Sequence, residues 1–295
     1  MSMTAVNDTA IQLLCREFWS DIFVPEVMQA TMLPSLVSRE YEGEIQKAGD
    51  KVYISQMVRP TATRKTVGVG HETFNSEKLV PLQVSVTADQ VITASFKFDN
   101  LVQLQSQVGD QDSKIRQGLV EAMDIALNEF CYSIVAASTT APDHDLGSVT
   151  DFNAAQLLAV RKLAAKAKWS KKDGKGWWLL ADPSYYGDML AAATLIGGDY
   201  VPDMPSVGGE FAQKRQGFYI LEDNSDALIT HVSAGTEDAA LAFHPDFMHL
   251  VVQQAPVFKI SDLHPLQQHG YLISASMVCG AALGVNGDEK HIVIR

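Results

Sequence analysis

The feature that most constrains this chain is a long stretch of two-residue periodicity that gives way to a long stretch of helical periodicity. After Gly49, Val52, Ile54 and Val58 alternate with Lys51, Tyr53, Ser55 and Met57, which predicts a half-buried strand. The stretch from Arg59 to Lys78 is polar and carries Arg59, Arg64, Lys65, Gly68 and Gly70, so it predicts an exposed tip. Alternation then resumes, with Leu82, Val84 and Val86 and later Ile92, Ala94, Phe96 and Phe98 at even positions. The pattern is that of a two-stranded excursion; about ten residues per arm would extend roughly 33 Å. An isolated hairpin is only marginally stable in water. Such an arm therefore has to lie on another part of the protein or on another chain.

The helical stretch runs from about Asp112 to Ala137. Ile115, Leu119, Met123, Ala126, Leu127, Phe130, Ile134 and Val135 share one face, and Asp110 or Asp112 can cap the start. At about 1.5 Å per residue this is a rod of roughly 39 Å, long for a globular helix. Upstream, apolar residues between Asp8 and Gln29 recur at helical spacing up to Pro25, which predicts an amino-terminal arm. Downstream, the polar run from Thr139 to Thr150 separates two lobes. It is followed by a helix from about Asp151 to Lys168, a buried strand from Trp177 to Ala181, and a short helix opened by Pro183. A loop rich in Gly and Pro spans Gly197 to Gly209. Strand patterns follow at Gly217 to Leu221, Ala227 to Val232, Ala239 to Phe243 and Met248 to Gln253. From Val257 to Arg295 strands alternate with turns at Asp262 to Pro265 and at Asn286 and Gly287. The whole is mixed α+β in two lobes.

Charge narrows the function. Asp and Glu number 35 against 23 Lys and Arg, a formal net charge of -12, which disfavours a protein whose main task is gripping nucleic acid through phosphate neutralisation. It is compatible with a wall that encloses nucleic acid without adhering to it. Cys15, Cys131 and Cys279 lie far apart and show no paired spacing, as in reduced intracellular chains. No basic leader followed by an apolar core opens the sequence, and no run of about 18 apolar residues occurs, so the expectation is a chain neither secreted nor membrane-spanning.

The order of these elements resembles the major capsid proteins of tailed phages, the family named for the Hong Kong 97 fold. The helix DSKIRQGLVEAMDIALNEFCYSIVAAS looks like that family's spine helix, and the excursion looks like its extended loop. WWLLADPSYYGDML resembles a strand and helix early in the axial domain. GFYILEDNSD and AALAFHPDFMHLVVQQAP resemble the later strand pair that leads into the peripheral domain. The likeness runs from about Phe18 to Ile294. It implies an amino-terminal arm at 1–42, an extended loop at 43–98, a peripheral domain with the spine helix at 99–149, an axial domain at 150–256 and return strands of the peripheral domain at 257–295. It also implies a non-enzymatic shell subunit with no cofactor. Such a subunit assembles in the host cytoplasm into pentamers and hexamers and forms the icosahedral capsid of a virion around double-stranded DNA, without sequence-specific binding. The partners implied are other copies of the chain, a separate scaffolding protein and a portal, with no membrane. Arg59, Arg64, Lys65 and Phe74, at the tip of the extended loop, are its expected contacts between subunits. The Lys to Asn cross-link of the type member has no counterpart that can be matched here.

Two rivals remain. An encapsulin-like compartment would share the fold. A metal-dependent enzyme would need Asp143, His144 and Asp145 to converge on an ion, although adjacent residues rarely do so and a solvated loop is the simpler reading. No nucleophile elbow, phosphate loop or zinc helix occurs. His244 and His249 are five apart, as are His264 and His269, which is off the four-residue spacing of a helix face, and packing or surface roles suit them better. Trp177 and Trp178, beside Leu179 and Leu180, read as core.

Overall fold

The computed structural model describes residues 31–44, 51–64, 66, 76–98, 112–136, 143, 144, 146, 151–169, 174–192, 215–232, 238–263 and 270–295. The helix expected between Asp8 and Gln29, the loop from Gly197 to Gly209, Lys65, Phe74, Asp145, His264 and His269 lie outside the described residues.

The spine helix α2 follows α1 (Leu33–Leu36) in chain order and spans Asp112–Ala136, ending one residue short of the expected limit. Leu119, Met123, Leu127, Cys131 and Val135 recur every four residues and are buried along one face. They pack on Ile273, Ala275, Met277 and Cys279 in one direction and on Leu228, Leu241 and Phe243 in another, with Leu33 of α1 in the same core. The spine thus joins two sheets. Burial pushes the Cys131 thiol up to about 12, with Cys279 beside it adding to the shift, so both cysteines pack as small apolar groups.

One sheet has three strands in the order β3 (Gln90–Phe98), β9 (Tyr271–Leu283), β8 (Met248–Asp262), all antiparallel. β8 was expected to stop at Gln253 and resume at Val257. It is one strand of 15 residues that passes through Pro256. Register breaks between Val252 and Gln254 and between Gln254 and Val257 absorb the proline, which an edge strand tolerates.

The other lobe is a five-stranded sheet in the order β4 (Asp143–His144), β10 (His291–Ile294), β7 (Ala240–Phe243), β5 (Trp177–Ala181), β6 (Phe218–Glu222). Helices α3 (Ala154–Lys166) and α4 (Pro183–Ala191) cover one side, burying Leu157, Val160, Tyr185, Tyr186 and Met189 against Leu179 and Ile292. Each helix starts where its sequence provides a cap. The Asn153 side chain accepts from the Ala155 amide at 2.9 Å, and Asp182 accepts from the Tyr185 amide at 3.1 Å with Pro183 next in line. Trp177 is buried and Trp178 half-buried, as the core reading required.

Ala227 to Val232, read as a strand, is instead the helix α5 (Asp226–Val232). Ile229, Thr230 and Val232 favour strands locally. Tertiary packing overrides that preference, because Leu228 and Val232, four apart, bury on the spine. A hydrogen bond from the Ser225 amide to Asp223 Oδ1 at 2.9 Å shapes the turn before the helix.

Position 256 falls within β8. Gln90–Phe98, expected at the end of the excursion, pairs with β9, and the carboxyl-terminal β10 lies in the five-stranded sheet next to β7.

Candidate assembly surface

Two antiparallel strands, β1 (Lys51–Met57) and β2 (Pro81–Thr87), project from the body as a sheet of their own. Their register sets Val52 opposite Val86, Ile54 opposite Val84 and Gln56 opposite Leu82, so Val52, Ile54, Leu82, Val84 and Val86 share one face. That face is buried only near its base. Val52, Ile54 and Val86 pack with Ala88 on Val251 and Val285, with Tyr41, Val278 and Ala282 alongside. Val84 is half-buried and Leu82 exposed.

The base turns on a close crossing. A Cβ placed on Gly280 of β9 would lie 2.0 Å from the Thr87 carbonyl oxygen and 2.8 Å from Ala88 Cα, so only glycine lets the chain leaving β2 cross β9 there and enter β3. The polypeptide leading into β1 is tied down separately. The Ser38 amide donates to the Pro245 carbonyl at 3.1 Å and the Leu250 amide to the Ser38 carbonyl at 3.0 Å. The Tyr41 ring meets His249 edge-on at 5.2 Å. Lys175 Nζ bridges Glu40 Oε1 at 2.6 Å and Asp246 Oδ1 at 2.7 Å. Burial alone would lower the Lys175 ammonium and raise the Asp246 carboxyl, but the bridge outweighs burial at both and keeps the pair ionised. His249 goes the other way: burial lowers its pKa and keeps the ring neutral.

Beyond the base, the arm carries apolar side chains that are exposed among the described residues. Met57 is 72% exposed, Val80 60% and Leu79 58%, and Val58 is exposed beside them. The loop past β1 is held together by the Thr61 amide donating to Glu77 Oε2 at 2.9 Å. Arg59 and Arg64 are both exposed on this distal segment, within a few residues of the apolar group. Their expected companions Lys65 and Phe74 lie outside the described residues. Sequence reading treated Arg59 to Lys78 as polar and so overlooked the neighbours on either side, Met57 and Leu79 to Val80. The signal was present in that Leu79, Val80 and Leu82 crowd apolar residues onto both faces of one strand end, more than a single buried face requires. A second exposed apolar pair, Phe96 and Ile260, sits where both residues oppose Ile273 at the far end of the three-stranded sheet.

The metal candidate resolves differently. His144 sits in β4, with Nε2 2.9 Å from Gln156 Oε1, and its carbonyl accepts from the Arg295 amide, so the residue builds the edge of the five-stranded sheet. Among the described residues no three His, Cys, Asp or Glu side chains are grouped to hold a metal ion. No described helix is long and apolar enough to cross a membrane.

No family model matches the chain, and no curated protein matches it in sequence. Solved structures do match. One from Mycobacterium phage Che8 aligns with a TM-score of 0.73 at 19% identity, covering 95% of this chain and 97% of that one. The capsid structure of Cyanophage P-SCSP1u gives 0.73 at 13% identity over 96% of this chain and 93% of that one. The Cyanophage Pam1 capsid asymmetric unit gives 0.68 at 14% identity over 100% and 98%. The chain has the Hong Kong 97-like capsid fold.

Proposed function

We propose that this protein is the major capsid protein of a tailed double-stranded DNA phage, a structural subunit and not a catalyst, which assembles into pentamers and hexamers that close into an icosahedral head. The observation that carries this reading is the divided arm: two strands whose base packs on the body and whose distal apolar residues are exposed among the described residues. Exposed apolar surface concentrated in one place marks an interaction site, and a closed shell of identical subunits supplies the partner in the form of a neighbouring copy. The near-complete coverage of phage capsid structures in both directions supports the same reading.

Under this proposal Arg59 and Arg64, together with Lys65 and Phe74, contact the neighbour beneath the loop. The axial domain, about 150–256, gathers at the five-fold and six-fold axes, with 1–42 as the amino-terminal arm, 43–98 as the loop, and 99–149 and 257–295 forming the periphery. A separate scaffolding protein and a portal complete the assembly, which takes place in the host cytoplasm. The packaged DNA is enclosed without sequence-specific contact, consistent with the net charge of -12. Negative-stain microscopy of the expressed chain tests the reading. Closed particles or hexameric sheets are expected, and a monodisperse single subunit at all concentrations refutes it.

A further inference from the structure

We infer that the buried hydrogen bond between Tyr132 and Asp223 fixes the register of the spine helix against the axial domain, and with it the tilt between the two halves of the subunit. Tyr132 lies near the carboxyl end of α2 and is fully buried; its hydroxyl donates to Asp223 Oδ2 at 2.5 Å, across 91 residues of sequence. Asp223 is equally buried and is held at two further points. Its amide donates to the Ala181 carbonyl at 2.8 Å, which ties it to the end of β5, and its Oδ1 accepts from the Ser225 amide at 2.9 Å, which leads into α5. Burial, and then the carboxylate beside it, push the Tyr132 phenol well above its ordinary range, so the hydroxyl remains a donor.

Tyr132 belongs to one apolar core with Leu127 and Val135 on the spine, Leu228 and Val232 on α5, and Leu241 and Phe243 on β7, while Asn128 and Ser225 are the buried polar residues nearest the pair in sequence. Apolar contact is non-directional and is satisfied by several ways of seating one helix on another. A charge-assisted hydrogen bond at this distance is not. A spine helix shifted along its groove would leave the Asp223 carboxylate buried with one donor fewer, so a single polar pair discriminates among packings that the apolar residues tolerate. If the capsid reading holds, the tilt so fixed is what sets subunit curvature in the shell; this last step rests on that reading, and the register claim does not.

The test is a pulsed electron spin resonance distance between nitroxides at Ala122→Cys on the spine and Leu158→Cys on α3, in the full chain with Cys15→Ser. Labelled copies are diluted into unlabelled ones so that only distances within one subunit are read. A single narrow distribution is expected for the parent chain. Tyr132→Phe, which removes only the hydroxyl, is expected to broaden it to roughly twice that width as more than one seating is populated. Asp223→Asn, which retains an acceptor, keeps it narrow. The double variant Tyr132→Phe with Asp223→Leu leaves no buried charge and gives a second route to the broad distribution should the single variant fold poorly. An unchanged narrow distribution in the folded variants overturns the claim. Particles of Tyr132→Phe are expected to spread in diameter, and a uniform parental diameter alongside a broadened distance overturns the link to curvature. Absence of closed particles from the parent chain would overturn the capsid reading, while the distance measurement still decides the register claim.

Discussion

The two halves of the β1–β2 arm both carry apolar residues, yet they have opposite surroundings. At the base, Val52, Ile54 and Val86 are covered by Val251 and Val285 of the body; at the far end, Met57, Leu79 and Val80 meet solvent. Residue type alone does not distinguish burial for folding from burial for assembly. What distinguishes them is whether the chain's own body reaches that far: it covers Ile54, reaches Val84 in part and leaves Met57 exposed. The base therefore belongs to the stability of the subunit, and under the proposed function the distal half belongs to the stability of the assembly.

Removal of Arg59 to Lys78 with a short linker is the strongest way to separate the halves. Closed particles are expected to vanish while circular dichroism and the melting transition of the subunit stay close to parental; normal particles by microscopy would break the comparison. Gly280→Val strikes the opposite half. Its side chain would meet backbone at the crossing, and overpacking of this kind costs about 1–3 kcal/mol or more, read as a lower denaturant midpoint. A matched pair sharpens the contrast further. Ile54→Ala at the base is expected to cost roughly 2–4 kcal/mol of subunit stability, whereas Val80→Ala at the exposed end should change it by less than about 0.5 kcal/mol while weakening assembly.

A control lies away from the arm, in the five-stranded lobe. Asp182, buried at the start of α4, is pushed up to about 6, first by burial and then by Asp238, whose own carboxylate receives the Ser184 hydroxyl at 2.9 Å. A carboxyl raised in the folded state contributes stability that is complete below its ordinary value of 3.8 and is lost as pH rises through about 6. Unfolding free energy measured against pH is expected to fall by on the order of 2 kcal/mol across that window. Asp182→Asn, which still caps the helix, should flatten the fall, whereas variants of the arm should leave it unchanged.

Much of this architecture was legible in the sequence because the relevant periodicities are long. The spine helix was placed to within one residue, Trp177–Ala181 to the residue, and the alternation at Val52, Ile54 and Val86 identified the buried face of the arm. The failures occurred where partners decide. Asp226–Val232 carries strand-forming residues but is helical because the spine offers a groove for Leu228 and Val232. Gln90–Phe98 continues the alternation of the arm yet pairs with β9, and no local pattern names the partner of a strand. The expected contact residues were chosen for charge, and Arg59 and Arg64 are indeed exposed. The apolar group next to them came into view only when burial was known.

Met57 offers the most direct test that a second copy covers the distal arm. Its thioether is exposed in the subunit, so mild peroxide should convert it to the sulfoxide rapidly in unassembled chain and at least about ten-fold more slowly in assembled particles, as read by peptide mass spectrometry. Equal oxidation rates in the two states would show that nothing covers the distal arm on assembly and would contradict the account.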